Sequence, residues 1–380
     1  MHYFIIAGEA SGDLHGGALA TALKTLDTGA VITFIGGNAM SEAVGETPLL
    51  HCRDMAFMGF GEVVRNLGRI QSNLRLAKDS VIAARPDALI LIDYPSFNLK
   101  VAAKAHKAGI PVYYFIPPKV WAWKKWRLAT MRRLVRRVLS ILPFEPEFYK
   151  AEGAEAVYVG NPSVAEVAAE VAAADSRDVF LARHKLRDRP LVALMPGSRQ
   201  AEIRENLPIM AAAVDRFPQY RGVIIGSSDI PDALYARYGG RLPIVREPHA
   251  ARILVHCRAA LVTSGTATLE TALAGVPQVA MYHGNGSEMM YKVMKRVLTI
   301  PYVTLPNLIA NRDIIPELLL HHCTADSAAG HLGPLLRDTP ERNAQLQGYS
   351  EISRILGTEN AADNAAALII EDLEKIRKWR

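Results

Sequence analysis

Short apolar, β-branched runs alternate with helical stretches twice over along this chain, and that alternation restricts its fold more than any other feature. In the first half the runs are Tyr3–Ala7, Val31–Ile35, Ala88–Ile92, Val112–Ile116, Val138–Leu142 and Ala156–Val159. Between several of them, Leu14–Leu26, Glu62–Ala84 and Leu99–Ala108 carry helical spacing or alanine-rich composition. Such a pattern predicts right-handed βαβ units and a parallel sheet. Gly160-Asn161-Pro162 breaks it, and an Ala/Glu-rich stretch follows. A second series then begins with Leu191–Met195, Gly222–Ile225, Ile244–Val245, Ala259–Thr263 and Gln278–Met281. The fold class expected is α/β, two Rossmann-like domains facing across a cleft. Their expected limits are residues 1–165 and 166–355, and the helix expected within 356–380 is free to pack back on the first domain. With 380 residues, half of them hydrophobic, the chain can fill two cores.

Several classes fall away. Cys52, Cys257 and Cys323 are an odd, widely spaced set without a C-x-x-C pair, so a disulfide framework and a zinc site are not expected and a reducing cytoplasm is. The chain enters an apolar strand by residue 3, which is not the pattern of a signal peptide, and no apolar run approaches the roughly 18 residues of a membrane span. The formal charge is +6, yet Lys119 to Arg137 holds eight Lys or Arg and no acid; taking those eight from +6 leaves −2 for the rest. A local basic patch of this kind suits an anionic surface or ligand better than a nucleic acid.

Two strand-to-helix turns in the second half have the chemistry of a nucleotide diphosphate site. In "LMPGSRQAEIREN" a strand runs into Pro196-Gly197-Ser198-Arg199 just before a helix, offering backbone N–H groups, the Ser198 hydroxyl and a guanidinium. Arg199 can grip a diphosphate through two parallel hydrogen bonds, or be an ordinary surface arginine after a turn. In "VTSGTATLETALAGVP" the turn Ser264-Gly265-Thr266 offers a second set of donors. Glu270, one turn into the helix, can accept both hydroxyls of a ribose, or merely complement the helix dipole. No G-x-x-x-x-G-K-[ST], G-x-G-x-x-G or D-x-D is present, which argues against an ATPase, a dehydrogenase of the usual kind and an aspartate-pair metal clamp.

Candidates for the chemistry lie in the first half. "ALILIDYPSFNLK" sets Asp93 at the carboxyl end of an apolar strand, where a carboxylate can deprotonate an attacking hydroxyl or simply bond the turn after it; Asn98 lies at the start of the next helix. The turn in "IIAGEASGDLHGG" carries Glu9, Ser11 and Asp13. Two carboxylates there repel phosphate, so this turn is assigned to an acceptor sugar, with Glu9 a rival base and helix capping the plainer role for Asp13. A greasy and basic rim is expected from Met55, Phe57, Met58, Phe60, Val63 and Leu67, together with Trp121, Trp123 and Trp126 among the eight cations. It fits the headgroup boundary of a membrane, with core packing as the plainer fate of the first set and nucleic-acid stacking the alternative for the tryptophans.

Taken in order, "AGEASGD", "IDYPSFN", "VWAWKKWR", "LPFEPEFY", "GNP", "LMPGSR", "SGTATLE" and "VTLPNLIANRDIIPELL" give the chain a resemblance to the lipid-A-disaccharide synthase family, inverting glycosyltransferases of the B-type fold, from residue 7 to about 319. The resemblance implies transfer from UDP-2,3-diacylglucosamine to the 6-hydroxyl of 2,3-diacylglucosamine 1-phosphate (lipid X), releasing UDP. It implies Asp93 as base, Arg199 on the departing diphosphate, Glu270 on the ribose, Ser198, Ser264, Gly265 and Thr266 along the phosphates, and Asn307, Asn311 and Glu317 as further contacts. Ser96 stands where many of the family have a second acid, which shifts the load to Asp93. No cofactor and no metal are implied. The expected partners are the two lipid substrates and the anionic inner-membrane surface on its cytoplasmic face, with no nucleic acid and with a homodimer left open. An epimerase acting on UDP-N-acetylglucosamine and a non-catalytic sugar-nucleotide or lipid binding module are the competing readings.

Overall fold

The computed structural model describes residues 1–55, 66–121, 126–283 and 301–378. It divides into two compact units, Met1–Pro162 with Glu359–Arg380, and Ser163–Thr358.

The first unit is built on six parallel strands: β1 (His2–Ala7), β2 (Val31–Ile35), β3 (Ala88–Ile92), β4 (Val112–Phe115), β5 (Arg137–Ser140) and β6 (Ala156–Tyr158). Their spatial order is β2-β1-β3-β4-β5-β6. Both faces are covered, which is why the strands read as nearly unbroken apolar runs. Side chains alternate between the two layers: Tyr3, Ile5 and Ala7 enter one core, Phe4 and Ile6 the other. Ala7 pairs with Ile92, so Gly8-Glu9 and Asp93 leave adjacent strands side by side. The chain turns away in opposite directions from β1 and β3, and in open α/β sheets that switch point is where ligands bind.

The second unit has β7 (Leu191–Met195), β8 (Arg221–Ile225), β9 (Ile244–Val245), β10 (Cys257–Thr263), β11 (Gln278–Tyr282) and β12 (Glu317–Leu319), in the order β12-β11-β10-β7-β8-β9. All pairings are parallel and the order reverses between β7 and β10, where Met195 pairs with Val262. Both units are Rossmann-like. Strand β12 escaped the sequence reading, being three residues long and beginning on a glutamate.

Among the helices, the first departs from expectation and the last takes the course left open for it. The first spans Ala10–Leu26, not Leu14–Leu26, so Asp13 lies inside a helix and Glu9 is its N-cap. Its glycines are there for close approach: a Cβ on Gly17 would stand 2.9 Å from the Ala39 carbonyl oxygen, and one on Gly16 2.5 Å from the Met40 sulfur. The last helix, Ala361–Lys378, belongs to the first unit, burying Ala361, Ala362, Ala365, Ala366, Ile369 and Leu373 against Tyr3, Leu19 and Leu23. Asp372 anchors it, accepting Tyr113 Oη at 2.7 Å and the Arg136 guanidinium, with Arg137 at 3.4 Å. Two of the eight cations are therefore committed to the fold.

Candidate functional site

In the second unit the turns after β7 and β10 open into one pocket of about 610 Å³. Ser198, Arg199, Ser264, Gly265, Thr266 and Glu270 all line it. Two helices begin there, Gln200–Val214 and Thr266–Leu273, and both aim the positive ends of their dipoles toward this strand edge. Nothing lies within 4 Å of where a Cβ on Gly265 would stand, so the second turn opens onto free space. The first turn is filled: the Glu202 carboxylate accepts the backbone N–H groups of Ser198 (3.0 Å) and Arg199 (3.2 Å) and bonds Arg199 Nη1 at 2.9 Å. Burial raises the pKa of Glu270, opposed by His249 and reinforced by Glu166.

The far end of the pocket was not singled out from sequence. Ser227, Ser228, Arg246, Glu247 and Pro248 line it. Arg246 bonds the carbonyls of Ser227 (3.3 Å) and Ile230 (2.9 Å) and pairs with Asp232 at 2.5 Å, while Glu247 is held by Arg183 (3.1 Å) and His184 (2.7 Å). These residues follow β8 and β9, and the strand-end rule that found Arg199 and Ser264 applies equally to them.

In the first unit, Asp93 and Tyr94 form the junction between β3 and the helix Pro95–Lys107. Both adopt left-handed backbone, φ 44° and 46°, at a cost of roughly 1–3 kcal/mol each for non-glycine residues. The conformation is fixed from behind: the Asp93 carbonyl accepts Asn98 Nδ2 (2.8 Å) and Tyr114 Oη (2.6 Å). Tyr94 donates its hydroxyl to the Met55 carbonyl at 2.9 Å, and a Cβ on Gly8 would stand 2.3 Å from its ring. Burial raises the pKa of Asp93, with a backbone hydrogen bond from Tyr94 and the charges of Lys119 and His15 pulling it down. Glu9 is near enough to Tyr94 to raise its phenol, a shift that burial dominates.

Lys119 is a further member of this cluster. Its side chain reaches solvent, although the protein around its ammonium lowers its pKa while Glu145 and Asp93 pull it up. Behind it Glu145, 1% exposed, accepts Trp121 Nε1 at 2.8 Å and meets Ser140 Oγ at 2.5 Å. Burial pushes its pKa up to about 7. The signal for Glu145 was the motif "LPFEPEFY", whose central acid the sequence reading left without a role.

Other expected site residues serve the fold. The Asp13 carboxylate accepts the N–H groups of Gly37 (2.5 Å), Ala39 (2.9 Å) and Met40 (3.2 Å), capping the helix Asn38–Val44 and not its own. Asn98 is fully buried beneath the Asp93 turn. Glu317 accepts the N–H groups of Val303 and Thr304, the Thr304 hydroxyl and Asn307 Nδ2, all within 3.2 Å, and Asn307 bonds the backbone of Ile314 and Ile315. Neither lines the pocket; Asn311 is an exposed left-handed residue closing the helix Leu305–Ala310 and does not line it either. Ser11 is exposed in the first turn of its helix.

Of the expected rim, Met55 is 1% exposed and Trp121 5%, so both belong to the core. Trp121 stacks edge-on to Phe144 with ring centres 5.1 Å apart. Leu67 is exposed at the start of the helix Leu67–Ala84. Phe57, Met58, Phe60, Val63 and Trp123, and the side chain of Trp126, lie outside the described residues. No helix among the described residues is long and apolar enough to cross a membrane.

A family model described as lipid-A-disaccharide synthetase matches residues 3–370. The chain is 37% identical over 380 residues to a lipid-A-disaccharide synthase of Acidobacterium capsulatum, covering 94% of this chain and 92% of that one. It is also 37% identical over 376 residues to a lipid-A-disaccharide synthase of Myxococcus xanthus, covering 97% and 96%. Among solved structures, UDP-GlcNAc 2-epimerase of Neisseria meningitidis, bound to UDP-GlcNAc, superposes with a TM-score of 0.67 at 11% identity, covering 99% of this chain and 100% of that one. At that identity the likeness is one of fold.

Proposed function

The chain belongs to the lipid-A-disaccharide synthetase family and is a glycosyltransferase of lipid A biosynthesis; from that premise we propose that it joins UDP-2,3-diacylglucosamine to 2,3-diacylglucosamine 1-phosphate with inversion, giving the β-1,6-linked disaccharide 1-phosphate and UDP. The observation that carries this reading is the convergence of Ser198, Arg199, Ser264, Gly265, Thr266 and Glu270 on one pocket at a switch point. The diphosphate lies on the open Ser264–Thr266 turn, with Arg199 across it. Glu270 takes the ribose hydroxyls, and the Ser227 and Arg246 end of the pocket takes the base.

In the transfer step the acceptor's 6-oxygen attacks the anomeric carbon, the bond from that carbon to the diphosphate breaks, and its electron pair leaves with UDP. Asp93 accepts the proton. Its raised pKa makes it a stronger base than an ordinary aspartate. Negative charge grows on the diphosphate as the bond breaks, and Arg199 with the first turn of Thr266–Leu273 meets it; removing one such donor typically slows catalysis about a hundredfold or more. Lys119, beside Asp93, is the cation available to the acceptor's phosphate. Docking against the anionic cytoplasmic face of the inner membrane completes the proposal, supported by exposed Leu67 and by the apolar and cationic composition of the expected rim apart from Met55, Trp121, Arg136 and Arg137.

The test is product identity. Incubation with both diacylated substrates should give UDP and a disaccharide 1-phosphate in equal amounts, with a β-linkage by proton NMR. Release of an epimerised UDP-sugar, or an α-linked product, contradicts the proposal.

A further inference from the structure

The carboxylate of Glu202 is turned back onto the turn that begins its own helix. Oε2 accepts the N–H groups of Ser198 and Arg199 at 3.0 and 3.2 Å, and Oε1 bonds Arg199 Nη1 at 2.9 Å. A Cβ on Gly197, whose φ is 108°, would lie 2.3 Å from Oε2, so the glycine turn wraps tightly around this oxygen. A glycine turn opening a helix is a ready anion site, which a carboxylate from the helix's own first turn can also fill as a cap. Here an anion of the chain itself is seated in it, inside the pocket that also holds Ser264, Gly265 and Thr266.

We propose that Glu202 is a resident counter-anion of the nucleotide pocket, governing where a diphosphate binds and how tightly. It occupies the backbone donors of the first turn and repels a second anion from them, which directs a diphosphate to the open turn after β10. It also competes with that diphosphate for Arg199. The Arg199 side chain is 64% exposed and its guanidinium has more N–H groups than the Glu202 contact uses, so it can bridge both anions, shared between them. The consequence is a pocket that binds a nucleoside diphosphate less tightly than its donors allow and releases it readily. This rests on the pocket being the UDP-sugar site.

The test compares UDP with uridine, which lacks the phosphates, by calorimetry on the full chain as wild type, E202Q and E202A. E202Q keeps an oxygen for the two N–H groups and removes the charge. It should tighten UDP about three- to tenfold, the effect expected for removing one like charge from a partly exposed site, and leave uridine unchanged. E202A removes the cap as well, yet the ratio of UDP to uridine affinity should rise in the same direction, because any general loss of fold cancels in that ratio. If wild type binds UDP and E202Q binds it equally or more weakly, the counter-anion role is overturned and Glu202 is only a cap and a brace for Arg199. If wild type does not bind UDP at all, the reading of the pocket falls, and the inference with it.

Discussion

Burial in the first unit has given Glu145 a property that can be measured without any substrate. Its carboxyl has a pKa near 7 in the folded chain against an ordinary value of 4.5, because burial disfavours the charged form more than Trp121, Ser140 and Lys119 favour it. The folded state therefore binds this proton more tightly than the unfolded state. Its contribution to stability is fully present below about pH 4.5 and is lost as pH rises through 7, a change on the order of 3 kcal/mol. Glu145→Gln keeps an acceptor for the indole and removes the titration, so the variant should gain melting temperature relative to wild type on going from pH 5 to pH 8. A difference in melting temperature that is independent of pH contradicts this account. At the same scale, Asp13, Asn307 and Glu317 each bond within the fold in a way the letters alone do not reveal. A carboxylate that caps a helix and one that binds a sugar look alike in a string of letters, and only the three N–H groups converging on Asp13 tell them apart.

Most strands were legible because both faces of each sheet are covered, leaving the period-2 signal saturated with apolar residues and bounded by glycine and proline. Asp93, Arg199 and Ser264 were legible for a related reason: each follows the last residue of such a strand or its first turn. The Ala10–Leu26 helix was harder, since Ser11, Gly12, Gly16 and Gly17 look like turn residues, whereas Gly16 and Gly17 are in fact small so that Met40 and Ala39 can approach. Tyr94 was hidden by the opposite problem, an aromatic residue in left-handed backbone, φ 46°, where sequence rules place glycine or asparagine. Its ring rests on Gly8 and its hydroxyl reaches Met55, linking the loops after β1 and β3. Gly8→Ala should displace that ring and, with it, the Asp93 turn. Turnover should fall at least tenfold while UDP affinity, set in the other unit, stays within a factor of two. Equal loss of both would contradict the independence of the two sites.

For the molecule as a whole, each Rossmann-like unit gathers polar groups at a strand edge: Asp93 with Lys119 beside it in one, and in the other Arg199, Ser264, Thr266 and Glu270 around the pocket proposed for the sugar nucleotide. The proposed membrane surface belongs to this scale. Phe57→Ser with Phe60→Ser should reduce sedimentation with anionic vesicles and leave UDP binding intact; unchanged sedimentation would remove those residues from the surface. The central claim is that Asp93 takes the proton in a transfer that needs both lipids. The most direct test is UDP release by wild type and Asp93→Ala, with each diacylated substrate alone and with both together, on protein shown to be folded and to bind UDP. The account predicts release by wild type only when both are present, and a fall of at least a hundredfold in the variant with its UDP affinity unchanged. Release by the variant at the wild-type rate, or release by wild type from the UDP-sugar alone, would contradict it.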